Sequence, residues 1–371
     1  MTTMSYHIDF SAPLDGVTVV DITTSLGEYA GRLLADLGAR VVRIGIPGTT
    51  PARRVFMNAG KMIRHDDTDL DALLADAQML ITSEGPAVLQ SKGLDPAEIT
   101  CRHERLVHLA ISPFGLTGPY ADRPASDLTL LAAGGLLALA GDPDREPVRA
   151  WGEQTAVIAG AHAATAALIA LHVLETEGYG QIVDLSVQEA VAHSIENAAQ
   201  YFDLEHVVRR RAGAGPREAG TGLFRCADGW IYLVGGLGGK PLAWDAIVDW
   251  LIEGSCSGAG ELRAERWQTP QWRRTSHAND RFRELFEAFA ARRTKAELFA
   301  AGQRRGISIA PVSTPEDLLA DPQLVARDYF RVIDADGDPT VIPGSPYRFR
   351  HSAVGPGDVH TTTDVEPVRS R

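Results

Sequence analysis

Cysteine is scarce: Cys101, Cys226 and Cys256 are the only three in 371 residues, and none sits in a CxxC or Cys/His ligand spacing. That argues against a disulfide framework and against a structural zinc site, so no metal is expected. A reducing cytoplasm is the simplest setting for such a chain. Basic charge is short as well. With 36 Lys and Arg against 48 Asp and Glu the net charge is -12, too acidic for the surface that neutralises a phosphate backbone, so nucleic acid is not an expected partner. The one clear basic cluster, Arg209, Arg210 and Arg211, has the context of a solvated loop. The opening MTTMSYHIDF lacks the basic stretch and apolar core of a secretion signal. The longest apolar stretch, 156–173, includes His162, His172 and several small residues, and is expected as a buried helix, not a membrane span.

Nucleotide motifs are missing too. A dinucleotide site wants GxGxxG where the first strand turns into a helix. That turn reads DITTSLGEYAG, with only Gly27 and Gly31, and Glu28 at the helix entrance would repel a phosphate. GGLGGKP (235–241) imitates a phosphate loop but has Val234 where GxxxxGK[ST] needs glycine and Pro241 where it needs a hydroxyl.

What is present is alternation. GVTVVDI (16–22) is a β-branched run, EYAGRLLADLG (28–38) has helical spacing and a terminal glycine, and ARVVRI (39–44) is a second strand. This is a βαβ unit, whose right-handed crossover implies a parallel sheet. Helical 68–77, strand 78–82, helical 96–106 and strand 107–112 continue it. Helices are expected at 126–141 and after Gln154, and a strand followed by a helix at 180–202. The glycines of RRRAGAGPREAGTG (209–222) mark a loop and a boundary. Beyond it, 228–236 and 307–313 are strand-like, 280–306 is helical, and the polar tail from about Val354 is expected to lie extended.

Several segments together resemble the class III CoA-transferases, a family that also holds carnitine and formyl-CoA transferases and α-methylacyl-CoA racemase. They are PLDGVTVVDIT (13–23), YAGRLLADLGARVVRI (29–44), NAGK (58–61), ISPFGLTGPYADRPASDL (111–128), GYGQIVDLSVQEA (178–190), LFRCADGWIYL (223–233) and PVSTPEDLLADPQLVARDYF (311–330), in family order. The resemblance implies an α/β fold: a Rossmann-like large domain with a parallel sheet, from 1–205 and 320–371, and a smaller α/β domain at 220–315. Between them lies a Gly/Arg-rich linker at 206–222, whose glycines correspond loosely to a mobile loop over the family's active site. Two subunits would interlock as linked rings.

The implied chemistry moves CoA between carboxylic acids through an acyl anhydride on an aspartate nucleophile, with coenzyme A and acyl-CoA as substrates and no tightly bound cofactor. The family's segment, approximately PVRxGxPxADxxAGxxAA, lies without gaps on PVRAWGEQTAVIAGAHAA (147–164) and sets Ala156 at the aspartate. The one nearby acid is Glu153. His162, on the same alanine-rich helix, has the context of a satisfied core residue, not a catalytic base. By the same resemblance Ser25, Leu26, Gly27, Ile46, Lys61, Ser83 and Lys92 fall along the CoA cleft, while Gly45, Ala59 and Ser91 replace the acid and the two arginines expected there. The resemblance is nearest to the nucleophile-lacking subunits of two-chain enzymes of the benzylsuccinate CoA-transferase type. Three functions are open. The chain is a non-catalytic subunit partnered by a homologous, aspartate-bearing chain. Or it is a self-sufficient transferase or isomerase using Glu153, partnered with itself. Or it is a CoA-ester-binding regulatory homo-oligomer without turnover.

Overall fold

The computed structural model of the chain describes residues 11–45, 50–64, 69–211, 213, 218–237 and 240–362. It divides into two compact units, one from Met1–Ala138, Arg149–Arg209 and Pro322–Arg371, the other from Leu139–Val148 and Arg210–Asp321.

The first unit is built on a seven-stranded sheet whose pairings are all parallel. Across the sheet the order is His360–Thr362, Met62–Arg64, Arg40–Ile44, Thr18–Asp21, Met79–Thr82, Val107–Ser112 and Ile182–Ser186. Val19, Val20, Val41, Val42, Met79, Leu80 and Ile81 are fully buried, which is why these strands read as continuous apolar runs and not as alternating ones. The polar tail contributes an edge strand, with His360 in register with Met62. Its approach is fixed by backbone bonds from Gly355 N to Asp36 O at 2.8 Å and from Gly60 N to Asp358 O at 3.0 Å.

Helix Glu28–Asp36 packs against the long helix Gln154–Glu177, and both sit on one face of the sheet in a core with Val19, Val41, Leu109 and Ile111. Gly160 allows the close approach, since a Cβ there would lie 2.8 Å from the Tyr29 side chain. The long helix is buried on one side only, which corrects the expectation of a fully buried element. Ala156, Ala159, Ala163, Ala167 and Ala170 face the core, whereas Leu168 is exposed and Ile169 is 63% exposed. The helix is long and apolar enough to cross a membrane, with 44% of its most apolar window buried in the fold. His162 lies on the outer side, half-buried, its ring 5.2 Å from that of His193; it is not a core residue. The single helix expected at 126–141 splits at Gly134 and Gly135 into Asp127–Ala133 and Leu136–Leu139, because Gly135 takes a φ of +88°.

The second unit carries an antiparallel sheet of Ser308–Pro311, Gly229–Val234 and Thr221–Cys226, backed by Trp244, Trp267, Phe282 and Phe286. The helix expected over 280–306 is two, Ser276–Ala290 and Lys295–Arg304. A capping box between Thr294 and Glu297 satisfies the free amides of a new helix start there. The basic run is not simply solvated: the Arg209 guanidinium lies 3.3 Å over the Tyr201 ring, and Arg211 donates to the carbonyls of Asp142 and Arg145.

His108 is fully buried in the strand Val107–Ser112, with Nε2 3.0 Å from Thr82 Oγ1 and Nδ1 without a hydrogen-bond partner among the described residues. Burial pushes its pKa down to about 4 against the ordinary 6.5. The native state therefore keeps His108 neutral while the unfolded chain takes up a proton below its own pKa. Its contribution is complete above pH 6.5 and is lost as pH falls toward 4, by about 3 kcal/mol in all. Urea titrations across this window should show a fall in stability that His108→Leu reduces. An unchanged slope in the variant would refute the assignment.

Candidate functional site

The strand order reverses between Thr18–Asp21 and Met79–Thr82, whose connections leave the sheet in opposite directions and open a crevice at the carboxyl ends of the strands. A cavity of about 680 Å³ occupies this position. Thr24, Ser25 and Leu26 line it after the first of these strands, Ser83, Glu84 and Gly85 after the second, and Pro113 after the next. The start of the long helix closes another side with Glu153, Thr155 and Ala156.

Beneath the crevice lies a buried ion network. Asp21 accepts from Arg43 Nη1 at 2.7 Å, from Thr23 N and Oγ1 at 3.0 and 2.7 Å, and from Lys61 Nζ at 2.8 Å. Burial by itself would raise the Asp21 carboxyl, but Lys61 and Arg43 outweigh it and hold the group well below the usual carboxylate range. Gly31 makes room: a Cβ there would fall 2.5 Å from Asp21 Oδ2. Arg43 Nη2 lies 3.3 Å from Glu28 Oε1, and Arg53 pairs with the other Glu28 oxygen. Glu28 is thus neutralised and buried, and the expectation that it repels ligands at the helix entrance is withdrawn.

Of the residues expected along the cleft, Ser25, Leu26 and Ser83 line the cavity. Gly27 does not line it; a Cβ there would strike Thr23 and Ser83, so it serves the packing of the turn. Lys61 is not available to a phosphate. It is buried, and its ammonium is held by Asp21 and by the Glu28 carbonyl at 2.7 Å. Lys92 is exposed but bound at 2.7 and 2.8 Å to both oxygens of Glu84. Ile46 lies outside the described residues. Ala156 is 2% exposed, with only a methyl group on the cavity wall. Glu153 lines the cavity, but its Oε2 accepts from Arg53 Nε and Nη2 at 2.9 and 2.6 Å.

Three residues in or beside the site escape sequence reasoning. Arg53 joins Glu28 and the Ser25 carbonyl, both in the 25–28 turn, to Glu153 before the long helix. Asp127 Oδ1 accepts from Thr155 N and Oγ1 at 3.0 and 2.8 Å, capping the long helix in place of Glu153, whose side chain makes no cap. Arg149 Nε lies 3.5 Å from the other Asp127 oxygen. Only the PVR and SDL contexts could have drawn attention to the last two. Among the described residues no group of His, Cys, Asp and Glu could hold a metal ion.

A doubly wound parallel sheet with its cavity at the switch point defines an α/β protein whose crevice lies where sheets of this kind take their ligands. Comparison with known proteins gives the rest. A family model described as CoA-transferase family III matches residues 14–358, and the chain belongs to that family. It is 37% identical over 358 residues, covering 89% of this chain and 87% of the relative, to the succinyl-CoA:(R)-benzylsuccinate CoA-transferase subunit BbsE of Thauera aromatica. It is 29% identical to the alpha subunit of succinyl-CoA–L-malate CoA-transferase of Chloroflexus aurantiacus, over 89% of this chain and 82% of that one. A CaiB/BaiF family protein from Brucella suis superposes with a TM-score of 0.81 at 26% identity, covering 93% of this chain and 94% of the other.

Proposed function

We propose that this chain is a non-catalytic subunit of a heteromeric CoA-transferase that moves CoA between carboxylic acids, with a homologous chain supplying the nucleophile. The observation that carries the reading is Ala156: at the position of the expected aspartate the cavity wall offers a methyl group, which cannot form an acyl anhydride. Two relatives described as subunits of CoA-transferases support it. So do the exposed Leu168 and Ile169 on the long helix and Phe202 and Leu204 on Ala198–Glu205, since exposed large apolar side chains in such number favour association. Glu153 is a poor substitute nucleophile, because Arg53 holds its carboxylate. By family resemblance the assembly is an interlocked dimer, each cleft bordered by both chains.

Co-expression with a homologous chain that keeps the aspartate should give a complex in which acyl-CoA, followed by hydroxylamine or borohydride trapping and mass spectrometry, modifies the other chain. Label on this chain, or failure to isolate any complex from the native host, would overturn the reading.

A further inference from the structure

Near its C-terminal end the first unit folds a hairpin, Phe330–Ala335 against Asp338–Pro343. The short helix Pro322–Ala326 precedes it, and Asp328, at a φ of +48°, turns the backbone toward the first strand. Phe330 is in register with Pro343, so the residues before the hairpin meet those after it. Gly344 makes the junction tight: its amide donates to the Tyr329 carbonyl at 2.8 Å, and a Cβ there would lie 2.5 Å from that oxygen. A cavity of about 250 Å³ is left between residues 327–331 and 344–354.

Both segments interleave arginine with rings, ARDYFR (326–331) and YRFR (347–350), in a chain whose net charge is -12. Arg327, Arg331 and Arg348 line the cavity, and the one acid among its lining residues, Asp328, is held by Arg331 at 2.5 Å. The guanidinium groups of Arg327 and Arg348 have no ion pair or hydrogen bond among the described residues. Asp36, close enough to act on Tyr347, is itself paired with Arg32 at 2.6 Å. Three guanidinium groups against one carboxylate leave a local charge of about +2. A phosphate monoester brings roughly -1.5 to -2 at neutral pH, whereas a carboxylate brings only one charge. The planar fork of an unpaired guanidinium also matches phosphate oxygens two at a time. The rest of the lining is rich in rings. Tyr347 and Phe349 flank Arg348 in sequence, both exposed, with centroids 5.8 Å apart and edge to face. Burial and the charge of Asp36 push the Tyr347 phenol up, so it keeps its O–H as a donor. Exposed rings beside unpaired cations suit a ligand that is planar at one end and doubly charged at the other.

We infer that this second cavity binds a small phosphate monoester carrying one planar ring system, of the size of a nucleoside monophosphate: Arg327 and Arg348 take the phosphate, and Tyr347 and Phe349 take the ring. A singly charged acid would leave one guanidinium without a counter-charge. Neither the switch-point cavity nor a nucleophile enters the inference, so it goes beyond the subunit reading and does not depend on it.

Calorimetry on the full chain with phenyl phosphate, AMP, inorganic phosphate, benzoate and coenzyme A tests it. Phenyl phosphate and AMP should each bind at least about tenfold more tightly than benzoate, which has the ring but a single charge. Coenzyme A, with three phosphate groups and a long arm, should displace phenyl phosphate less well than AMP does. Arg348→Gln should weaken both esters at least about tenfold. Phe349→Ala should weaken them roughly fivefold and leave inorganic phosphate unchanged. Tryptic cleavage after Arg348 should slow when AMP is bound. The order of the probes and the protection from trypsin are read on the unaltered chain, so they stand if a variant fails to fold. No binding of phenyl phosphate, benzoate bound as tightly, or affinities indifferent to Arg348→Gln overturns the inference. So does coenzyme A displacing phenyl phosphate better than AMP, or AMP bound with cleavage at Arg348 unchanged, which would put the ligand elsewhere. Acyl labelling of either chain does not bear on these results, so failure here leaves the subunit reading standing.

Discussion

Asp21→Asn is expected to destabilise the first unit by about 3–5 kcal/mol, because it leaves Lys61 and Arg43 buried without their shared counter-charge. Arg43 stands within the strand Arg40–Ile44 and Lys61 directly before Met62–Arg64, so the loss is felt across the sheet and not at one turn. Chemical denaturation should show a lowered midpoint with unchanged slope. The double variant Asp21→Asn/Lys61→Met should lose less than the sum of the two single variants, since removing both charges removes the uncompensated one. An exposed pair gives the control: Lys92→Gln, which breaks only the bond to Glu84, should change stability by less than about 1 kcal/mol. Additive single variants, or a loss no larger than that of Lys92→Gln, would show that the network does not stabilise the fold.

The isolated chain is expected to transfer CoA at least about a thousandfold more slowly than the complex, whatever acyl-CoA is offered, because losing a covalent nucleophile leaves only binding and electrostatics. Ala156→Asp should restore little. A carboxylate at 156 would meet a wall that Lys61 does not reach, its ammonium being withdrawn into the fold on Asp21. The informative companion is Glu153→Gln. Turnover that survives purification and disappears in Glu153→Gln would make Glu153 the nucleophile, despite its pairing with Arg53. Turnover indifferent to that change would mean that the site lies elsewhere.

Four inner strands of the sheet were legible because each is a buried, largely apolar run, a pattern that short-range sequence carries by itself, and the edge strand Ile182–Ser186 shows Ile182, Val183 and Leu185 after the glycines at 178 and 180. Met62–Arg64 is too short to show a period, and His360–Thr362 follows a polar stretch, so both strands escaped. The reading of Ala156 was legible for another reason: it rests on a segment whose flanks, PVR and AG-x-x-AA, resemble the family's. The charged groups around it were not. In the sequence Lys61 is a lysine near a glycine turn, and nothing there says that its ammonium ends beneath a helix on Asp21, forty residues away.

The sequence by itself determined the alternation of strands and helices and the family, because both depend on residue type at fixed spacing along the chain. Only the tertiary structure decided which charges are free. Asp21, Arg43 and Lys61 meet because three strands lie side by side, Arg53 reaches Glu153 across a hundred residues, and Asp127 caps a helix that begins far beyond it. Pairing of this kind depends on separation in space, where a Coulomb interaction falls with distance and grows as water is excluded. Neither quantity is written in the order of the residues.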